Sequence, residues 1–408
     1  MKTSIGMNET SPGRVEGGGL LPESKRRSAR PGPSRRTGLF VLLVFVIGAG
    51  FLYLNRHDEP EALPEWKPGP FDPPVQYAFI PEKSDCRDHL ADATEDAEAK
   101  LVTCSEWTLH TNYKNGQGRQ ELDLTYGMSC AGVKADEDDC SSDIQLFDAA
   151  SQVQIDDSYR QGVPLRITPD GHFISYFSKS WMRYVGWDLR AGQRKSISPR
   201  LDAETLNDLR SVNISPDGRF FTVAFSGTQP RLLITDFATG QTSTVPGFCR
   251  VLGLSQAAAV IAAKRACTDI GEDGSKDDTV TILNRSGLVT GEWKGRDSVN
   301  DLSPDGRLLV EVLASVGEDG KEHLVVREAK TGKVVRTLTL RLLSESSDAV
   351  GYGWLNNDEY ILQAETPEPG GSFGYYRVNI RTGKSLRIRD LALSLGEKAS
   401  LGNVRIKN

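Results

Sequence analysis

The sequence predicts an all-β protein, a β-propeller of about six four-stranded blades preceded by a single transmembrane helix and a proline-rich stalk. A five-residue phrase carries this prediction, because it occurs three times, as Thr168–His172, Ser215–Arg219 and Ser303–Arg307. A second phrase ending in glycine follows each copy, and the units recur roughly every 40 to 52 residues. Two hairpins per unit make a four-stranded blade, and a ring of such blades is a propeller.

Both phrases have the chemistry of tight turns between strands. In the first, serine or threonine opens the turn, proline fixes φ at the second position, and glycine accepts the positive φ that closes it. The second phrase occurs as Trp187–Gly192, Thr235–Gly240 and Glu328–Gly332. Each copy of the second phrase therefore predicts the next hairpin turn of its blade.

The first 54 residues predict a cytoplasmic tail and a membrane anchor. Residues 1–37 carry eight basic and three acidic side chains and lack apolar periodicity, so we expect them to be disordered. Residues 38–54 contain no charge and would span ~25 Å as a helix. Basic residues before this segment and acidic residues after it place the N-terminus in the cytoplasm. A cleaved signal peptide is the alternative, although bulky residues stand where its cleavage site needs small ones.

Residues 55–84 predict a stalk, because seven prolines between Pro60 and Pro81 favour an extended spacer. Cys86–Lys100 is rich in Ala and Glu and suits a short helix. Residues 85–408 are then the extracytoplasmic propeller domain, held at the plasma membrane by a single pass of the chain.

The blade units follow from Trp107 onwards. In the first unit we expect strands at Glu121–Tyr126, Asp143–Phe147 and Val153–Ile155. Ala399–Ile406 is a candidate for the strand that closes the ring with the N-terminal segment. The other units span about residues 163–198, 209–246, 248–294, 297–340 and 349–392.

These phrases resemble the repeat of TolB-like β-propellers, relatives of WD-repeat blades that occur in bacterial envelope proteins. Three turns of this chain match that repeat well, one matches in part and one matches only by position. The resemblance covers about residues 105–395 and implies the propeller fold. It implies no particular activity, because propellers host binding, scaffolding and catalysis alike.

The cysteines all lie beyond the predicted anchor, and an even number there indicates disulfides, with free buried thiols as the alternative. We expect Cys130 to pair with Cys140 across an acidic insertion. We expect Cys249 to pair with Cys267, because residues facing each other in that hairpin have numbers that add to about 514–516. The six candidates for structural disulfides are Cys86, Cys104, Cys130, Cys140, Cys249 and Cys267.

A face of acidic loops is the expected binding surface. If the strands of each blade run outwards from the axis, the two phrases lie on one face and the connections between second and third strands lie on the other. Loops on a rigid scaffold often carry recognition, and solubility is the alternative role of their charge. We expect the long insertions in these connections at residues 131–143, 268–278, 316–323 and 365–374, of which the first two carry a charge of −4 each.

The sequence predicts no catalytic, cofactor or metal site. The five histidines show no ligand spacing. Asp269–Ser275 resembles the start of a calcium loop, but Val280 at its twelfth position cannot supply the carboxylate that calcium needs. The net charge is −6, and the tail contributes +5, so the folded part is acidic and unsuited to nucleic acid.

Two functions remain open from the sequence. The first is a binding module for an envelope protein or ligand that the sequence does not identify. The second is an enzyme of hydrolase or lyase type with a site in the propeller channel. Three or more carboxylates or histidines converging at the channel mouth would favour the enzyme.

Overall fold

The computed structural model describes residues 74–80, 102–111, 143–154, 160–265, 278–295, 298–313, 322–340, 342, 349–365, 373–388 and 399–402. The chain divides into two compact units, Met1–Leu63 and Pro64–Asn408, and every described residue lies in the second. No helix in the described ranges has the length and apolar character needed to cross a membrane. The predicted tail, the anchor at 38–54 and the short helix at 86–100 lie outside these ranges and stay predictions.

The described residues form 25 strands and one short α-helix. The first part comprises β1 (Val75–Phe79), β2 (Val102–Thr111), β3 (Asp143–Gln154), β4 (Arg160–Gly162), β5 (Arg166–Ile167), β6 (Phe173–Ser178), β7 (Arg183–Asp188), β8 (Gln193–Ser196), α1 (Ala203–Asn207), β9 (Leu209–Ile214), β10 (Phe220–Phe225), β11 (Arg231–Asp236) and β12 (Gln241–Pro246). The second part comprises β13 (Arg250–Leu254), β14 (Ile261–Lys264), β15 (Asp278–Leu283), β16 (Val289–Gly295), β17 (Val299–Leu302), β18 (Leu308–Leu313), β19 (His323–Glu328), β20 (Val334–Thr339), β21 (Val350–Asn356), β22 (Glu359–Glu365), β23 (Phe373–Asn379), β24 (Ser385–Ile388) and β25 (Ala399–Leu401).

Four antiparallel sheets of four strands, β9–β12, β13–β16, β17–β20 and β21–β24, follow one another along the chain. The remaining strands form one nine-stranded sheet in the order β25-β1-β2-β3-β6-β7-β8, with β4 beside β3 and β5 beside β6. The all-β prediction is therefore confirmed, and the propeller arrangement is confirmed for the four four-stranded sheets.

Burial within a sheet depends on the distance of the strand from the axis. All six residues of β10 are buried, because both faces of this strand pack against neighbouring sheets. The outermost strand of the same sheet, β12, has mainly polar side chains, and five of its six residues are exposed. A continuous apolar run followed by a polar strand is the pattern expected when sheets are packed face to face around a centre.

The repeated turn has the predicted geometry. The Ser215 hydroxyl donates to Asp217 Oδ1 at 2.6 Å and accepts the Phe220 N–H at 2.9 Å. The Gly218 N–H donates to the Ser215 carbonyl at 2.8 Å, and Gly218 has a φ of 69°. The turns that begin at Thr168 and Ser303 repeat these hydrogen bonds.

The N-terminal strands differ from the prediction. The predicted stalk, residues 55–84, contains β1, which is a strand of the nine-stranded sheet. In the predicted first unit, the separate strands at Asp143–Phe147 and Val153–Ile155 are wrong, because β3 runs unbroken from 143 to 154. Glu121–Tyr126 lies outside the described residues. The predicted closing strand is confirmed over Ala399–Leu401, which pairs with β1.

The strand ends that flank one predicted acidic insertion, residues 131–143, lie at the other face from the one predicted. We name the side that carries the repeated turns the turn face, and the opposite side the loop face. The Val75 N–H donates to the carbonyl of Gly171, a turn residue, at 3.0 Å, and Val75 pairs with Thr111 at the end of β2. The segment between β2 and β3, with Cys130 and Cys140, therefore leaves from the turn face. The reason is that β25 supplies the inner strand of this sheet, which moves β1, β2 and β3 outwards by one position.

The hairpin of β13 and β14 has the predicted register. Arg250 pairs with Lys264 and Leu254 pairs with Ile261, so that the paired numbers add to 514 and 515. Cys249 is half of a disulfide, and its partner is not among the side chains that the structure describes. Cys267 lies outside the described residues, so the pairing of Cys249 with Cys267 stays a prediction, as do the pairings of the other cysteines.

Substitution of Gly218 by alanine tests the repeated turn. A Cβ at Gly218 would lie 2.1 Å from the Phe173 ring, whereas a Cβ at Gly240, where φ is 72°, meets nothing within 4 Å. Positive φ alone costs an alanine about 1–2 kcal/mol, and overpacking adds about 1–3 kcal/mol. We expect Gly218→Ala to lower the free energy of unfolding in urea by clearly more than Gly240→Ala does. Equal losses would contradict the contact with Phe173.

Candidate functional site

The innermost strand of each sheet contacts the innermost strand of the next. We call β25, β5, β9, β13, β17 and β21 the inner strands. Side chains of one strand bond to its neighbour, and Gly402 after β25 lies so close to Ile167 of β5 that a Cβ would approach its Cγ2 to 2.5 Å. The hydrogen bonds are Arg166 Nε to Val212 O (3.0 Å), Asn213 Nδ2 to Val251 O (3.2 Å), Arg250 Nη2 to Asn300 Oδ1 (3.3 Å), Trp354 Nε1 to Asp301 O (2.9 Å) and Tyr352 Oη to Ala399 O.

A cavity of about 310 Å³ opens where three of the inner strands begin. Arg166, Leu209 and Ala399 are the first residues of β5, β9 and β25, and all three line the cavity. Arg210 lines it beside Leu209, and Trp107 reaches it from β2. We name this cavity the arginine pocket. Because the inner strands end at the turn face, the pocket lies on the loop face.

Two guanidinium groups give the arginine pocket its charge. Arg166 donates through Nε to Val212, and Arg210 donates through Nη1 to the carbonyls of Asn207 at 3.0 Å and Leu209 at 3.4 Å. These bonds to backbone oxygens hold both side chains in place without neutralising them. In the described part of the chain, neither guanidinium forms an ion pair with a carboxylate.

The Trp107 side chain forms part of the pocket wall. Trp107 is 3% exposed, and its Nε1–H has no hydrogen-bond acceptor among the described residues. A buried N–H without an acceptor costs about 1–3 kcal/mol. The Nε1 atom is closed off from solvent, so this donor does not face the open pocket.

A single carboxylate, Asp301, belongs to the inner strands, which contain no histidine over their described ranges. Asp301 is the extra residue of a bulge between Asn300 and Leu302, and its φ is 33°. Tyr360 of β22 donates to its carboxylate, and Trp354 donates to its carbonyl. Bulges and positive φ values at non-glycine residues often re-aim a side chain at a functional site.

Burial sets the protonation of this group. It raises the pKa of the Asp301 carboxyl above its ordinary value, although the hydrogen bond from Tyr360 and the charges of Arg166 and Arg250 act in the opposite direction. Burial also raises the pKa of Tyr360 well above its ordinary value, and the Asp301 charge adds to this. Tyr360 therefore stays protonated and donates a hydrogen bond to the Asp301 carboxyl group. Arg166 therefore both lines the arginine pocket and interacts electrostatically with the Asp301 carboxyl group.

Cys249 is the one predicted candidate whose side chain the structure describes, and it does not line the pocket. The side chains of the other five cysteines lie outside the described residues, and so do the acidic insertions almost entirely. Sequence reasoning missed Arg166, Arg210, Trp107 and Asp301. A signal was present for two of them, because Arg166 and Asp301 each stand two residues before a repeated turn, where an inner strand is expected to be apolar.

The comparisons with known proteins agree with the propeller prediction. No family model and no curated protein sequence matches this chain. The chain is similar to TolB from Acinetobacter baumannii, with 15% identity and a TM-score of 0.40 over 82% of this chain and 68% of that one. It is also similar to the β-propeller domain of the Trilobed protease from Pyrococcus furiosus, with 10% identity and a TM-score of 0.38 over 59% of this chain and 74% of that one.

A third similar structure is hydrazine synthase from Kuenenia stuttgartiensis, with 16% identity and a TM-score of 0.37 over 55% of this chain. The chain spans 64% of the length of that protein. The predicted likeness to TolB and other propellers is thus found among solved structures.

The raised pKa of Asp301 predicts a pH dependence of stability. The folded state keeps the Asp301 proton to a higher pH than the unfolded chain, so the contribution of Asp301 to stability is complete below its ordinary pKa and is lost as the pH rises through the raised value. Relative to Asp301→Asn, the wild-type free energy of unfolding should fall from pH 4 to pH 7.

Asp202→Asn is the matched control, with the opposite sign. Hydrogen bonds from Thr205 hold the pKa of the Asp202 carboxyl below its ordinary value. The wild type should therefore gain stability over Asp202→Asn as the pH rises from below that lowered value through the ordinary one. Urea unfolding across the pH range measures both differences, and a flat difference for Asp301→Asn would contradict the buried carboxyl.

Proposed function

We propose that this chain is a membrane-tethered, extracytoplasmic β-propeller that acts as a binding module through its loop face. The arginine pocket is the observation that carries the proposal. It offers two guanidinium groups that form no ion pair in the described part of the chain. Such donors are suited to holding a partner that carries hydrogen-bond acceptors.

The proposal includes a ring of six blades. The nine-stranded sheet consists of two runs, β25-β1-β2-β3 and β5-β6-β7-β8, and each has four strands like the other sheets. Only two residue pairs, Ala149 with Ser178 and Ala150 with Phe177, join the runs. Read as two blades, they complete a ring in which the C-terminal strand β25 and the N-terminal strands share a blade.

Tethering rests on the sequence of residues 1–65. The uncharged segment 38–54 follows a basic tail and precedes acidic residues, which favours a single pass with the propeller outside. The partner is accordingly an envelope protein or a ligand present outside the plasma membrane.

The proposal gives the predicted insertions between second and third strands a role on the loop face. Residues 266–277, 314–321 and 366–372 connect second to third strands of three sheets, so the insertions predicted there leave from the loop face. A face with acidic loops around a cationic pocket orients a charged partner, because opposite potentials steer association and like charges reject wrong partners.

An enzyme with a site in the channel is the second candidate. Asp301 favours it, because a carboxyl with a raised pKa can act as a general acid. The inner strands supply this one carboxylate and no histidine within the described residues, which falls short of the three converging groups that the enzyme hypothesis asks for. The binding module is therefore the better supported function.

Cross-linking on intact cells tests the proposal. Cells that express the full-length chain would be treated with a membrane-impermeant amine cross-linker, which reaches the propeller only if it is outside. We expect adducts with the wild type, and at least a fivefold loss with Arg166→Gln combined with Arg210→Gln. The loss follows because each charged hydrogen bond contributes about 1.5–3 kcal/mol.

Arg307→Gln is the control, because this arginine lies on the turn face with an 83% exposed side chain. Its adducts should match those of the wild type. The proposal would be overturned by an absence of adducts, or by adducts that the double substitution leaves unchanged.

A further inference from the structure

We infer that the arginine pocket binds an organic carboxylate with a short apolar body. This inference rests on the proposed binding function and names the ligand chemistry of that same site. A free small acid and the C-terminal residue of a peptide share this chemistry. The donors, the walls and the size of the pocket all favour this class of ligand.

The free donors of the pocket suit a planar anion. Arg166 bonds through Nε alone, so its two terminal nitrogens have no partner within the described residues. Arg210 bonds through Nη1, which leaves its Nε and Nη2 without a partner in the same part of the chain. A guanidinium presents its N–H groups in a fixed plane that matches the two oxygens of a carboxylate.

The chemistry of the two arginines decides which kind of group the pocket accepts. A guanidinium group can only donate hydrogen bonds. Its partner in the pocket must therefore be an acceptor, and a carboxylate oxygen is a strong one.

The walls indicate what accompanies the carboxylate. Val163, Pro164, Leu165 and Leu209 line the pocket with apolar side chains. A volume of about 310 Å³ is at the lower end for ligand sites. A branched aliphatic group suits such walls, whereas the larger and more strongly hydrated charge of a phosphate does not.

Binding of N-acetyl-Ala-Ala-Leu to the full-length protein in detergent tests the inference. The probe carries a free carboxylate, and its C-terminal amide is the matched control. Titration calorimetry should show binding of the acid that is about tenfold or more tighter than that of the amide, because the amide loses the charged hydrogen bonds. Inorganic phosphate at tenfold excess should not displace the acid.

Substitutions then locate the probe. Arg210→Gln should reduce the preference for the acid to less than threefold, and Arg307→Gln should keep it. Arg210→Lys retains the charge and guards against a folding defect in the glutamine variant. We expect it to keep part of the preference, because lysine lacks the planar fork.

N-acetyl-leucine distinguishes the two sources of the carboxylate. Equal affinity for N-acetyl-leucine and the tripeptide indicates a small acid, and tighter binding of the tripeptide indicates a chain terminus. Equal binding of acid and amide, displacement by phosphate, or no binding of the acid would overturn the inference. If the acid fails but the cross-linked adducts still depend on Arg166 and Arg210, the proposed function stands and only the ligand class is wrong.

Discussion

Each repeated turn lies in close contact with the neighbouring sheet, and this contact sets the spacing between the sheets. The Cα of Gly218 lies against the Phe173 ring, and a Cβ at Gly306 would meet Ser255 and Val260 at 2.9 Å. Only glycine fits at such a close contact, because it has no side chain. It also accepts the positive φ that the turn needs to bring the backbone close to the neighbouring sheet. The phrase that follows three of the inner strands, β5, β9 and β17, therefore fixes how closely the neighbouring sheets approach there.

The contacts between neighbouring turns also align the inner strands, and the arginine pocket depends on this alignment. Asp217 accepts the Ala257 N–H of the next sheet at 3.0 Å, so neighbouring turns share hydrogen bonds as well as packing. Because the inner strands end side by side at the turn face, the first residues of β5, β9 and β25 lie close together at the loop face. Arg166, Arg210 and Ala399 meet there although they are far apart in sequence. The pocket is thus formed by three inner strands together, and no single sheet contains it.

Much of the fold could be predicted, because turn chemistry is local and repeats itself. The predicted bounds of five units lie close to the observed bounds of their strands, and the unit predicted at 209–246 has the same bounds as β9–β12. The first unit failed because its inner strand, β25, comes from the other end of the chain and its remaining strands lack the repeated phrase. The strand Val75–Phe79 was assigned to the stalk because the prolines before it dominate the local composition.

Most residues of the candidate site could not be predicted from the sequence. Trp107 and Arg210 show no local pattern, since their proximity depends on pairing between distant strands. Asp301 acquires its raised pKa from burial and not from its neighbours in sequence. The sequence does show a polar residue, Arg166 or Asp301, two positions before a repeated turn. Assigning a role to it requires knowing that the strand before the turn is an inner strand.

In the proposed ring, the C-terminal strand β25 completes a blade by pairing with β1, and an engineered disulfide tests this pairing. Ala78 of β1 faces Ser400 of β25, and facing residues of antiparallel strands lie about 4.5–5.5 Å apart. With Ala78→Cys and Ser400→Cys together, peptide mapping under non-reducing conditions should find residues 78 and 400 linked. Ala78→Cys with Thr290→Cys, on the outer strand β16, should give no such link. Free thiols at 78 and 400, or equal yields from both pairs, would contradict the closed ring.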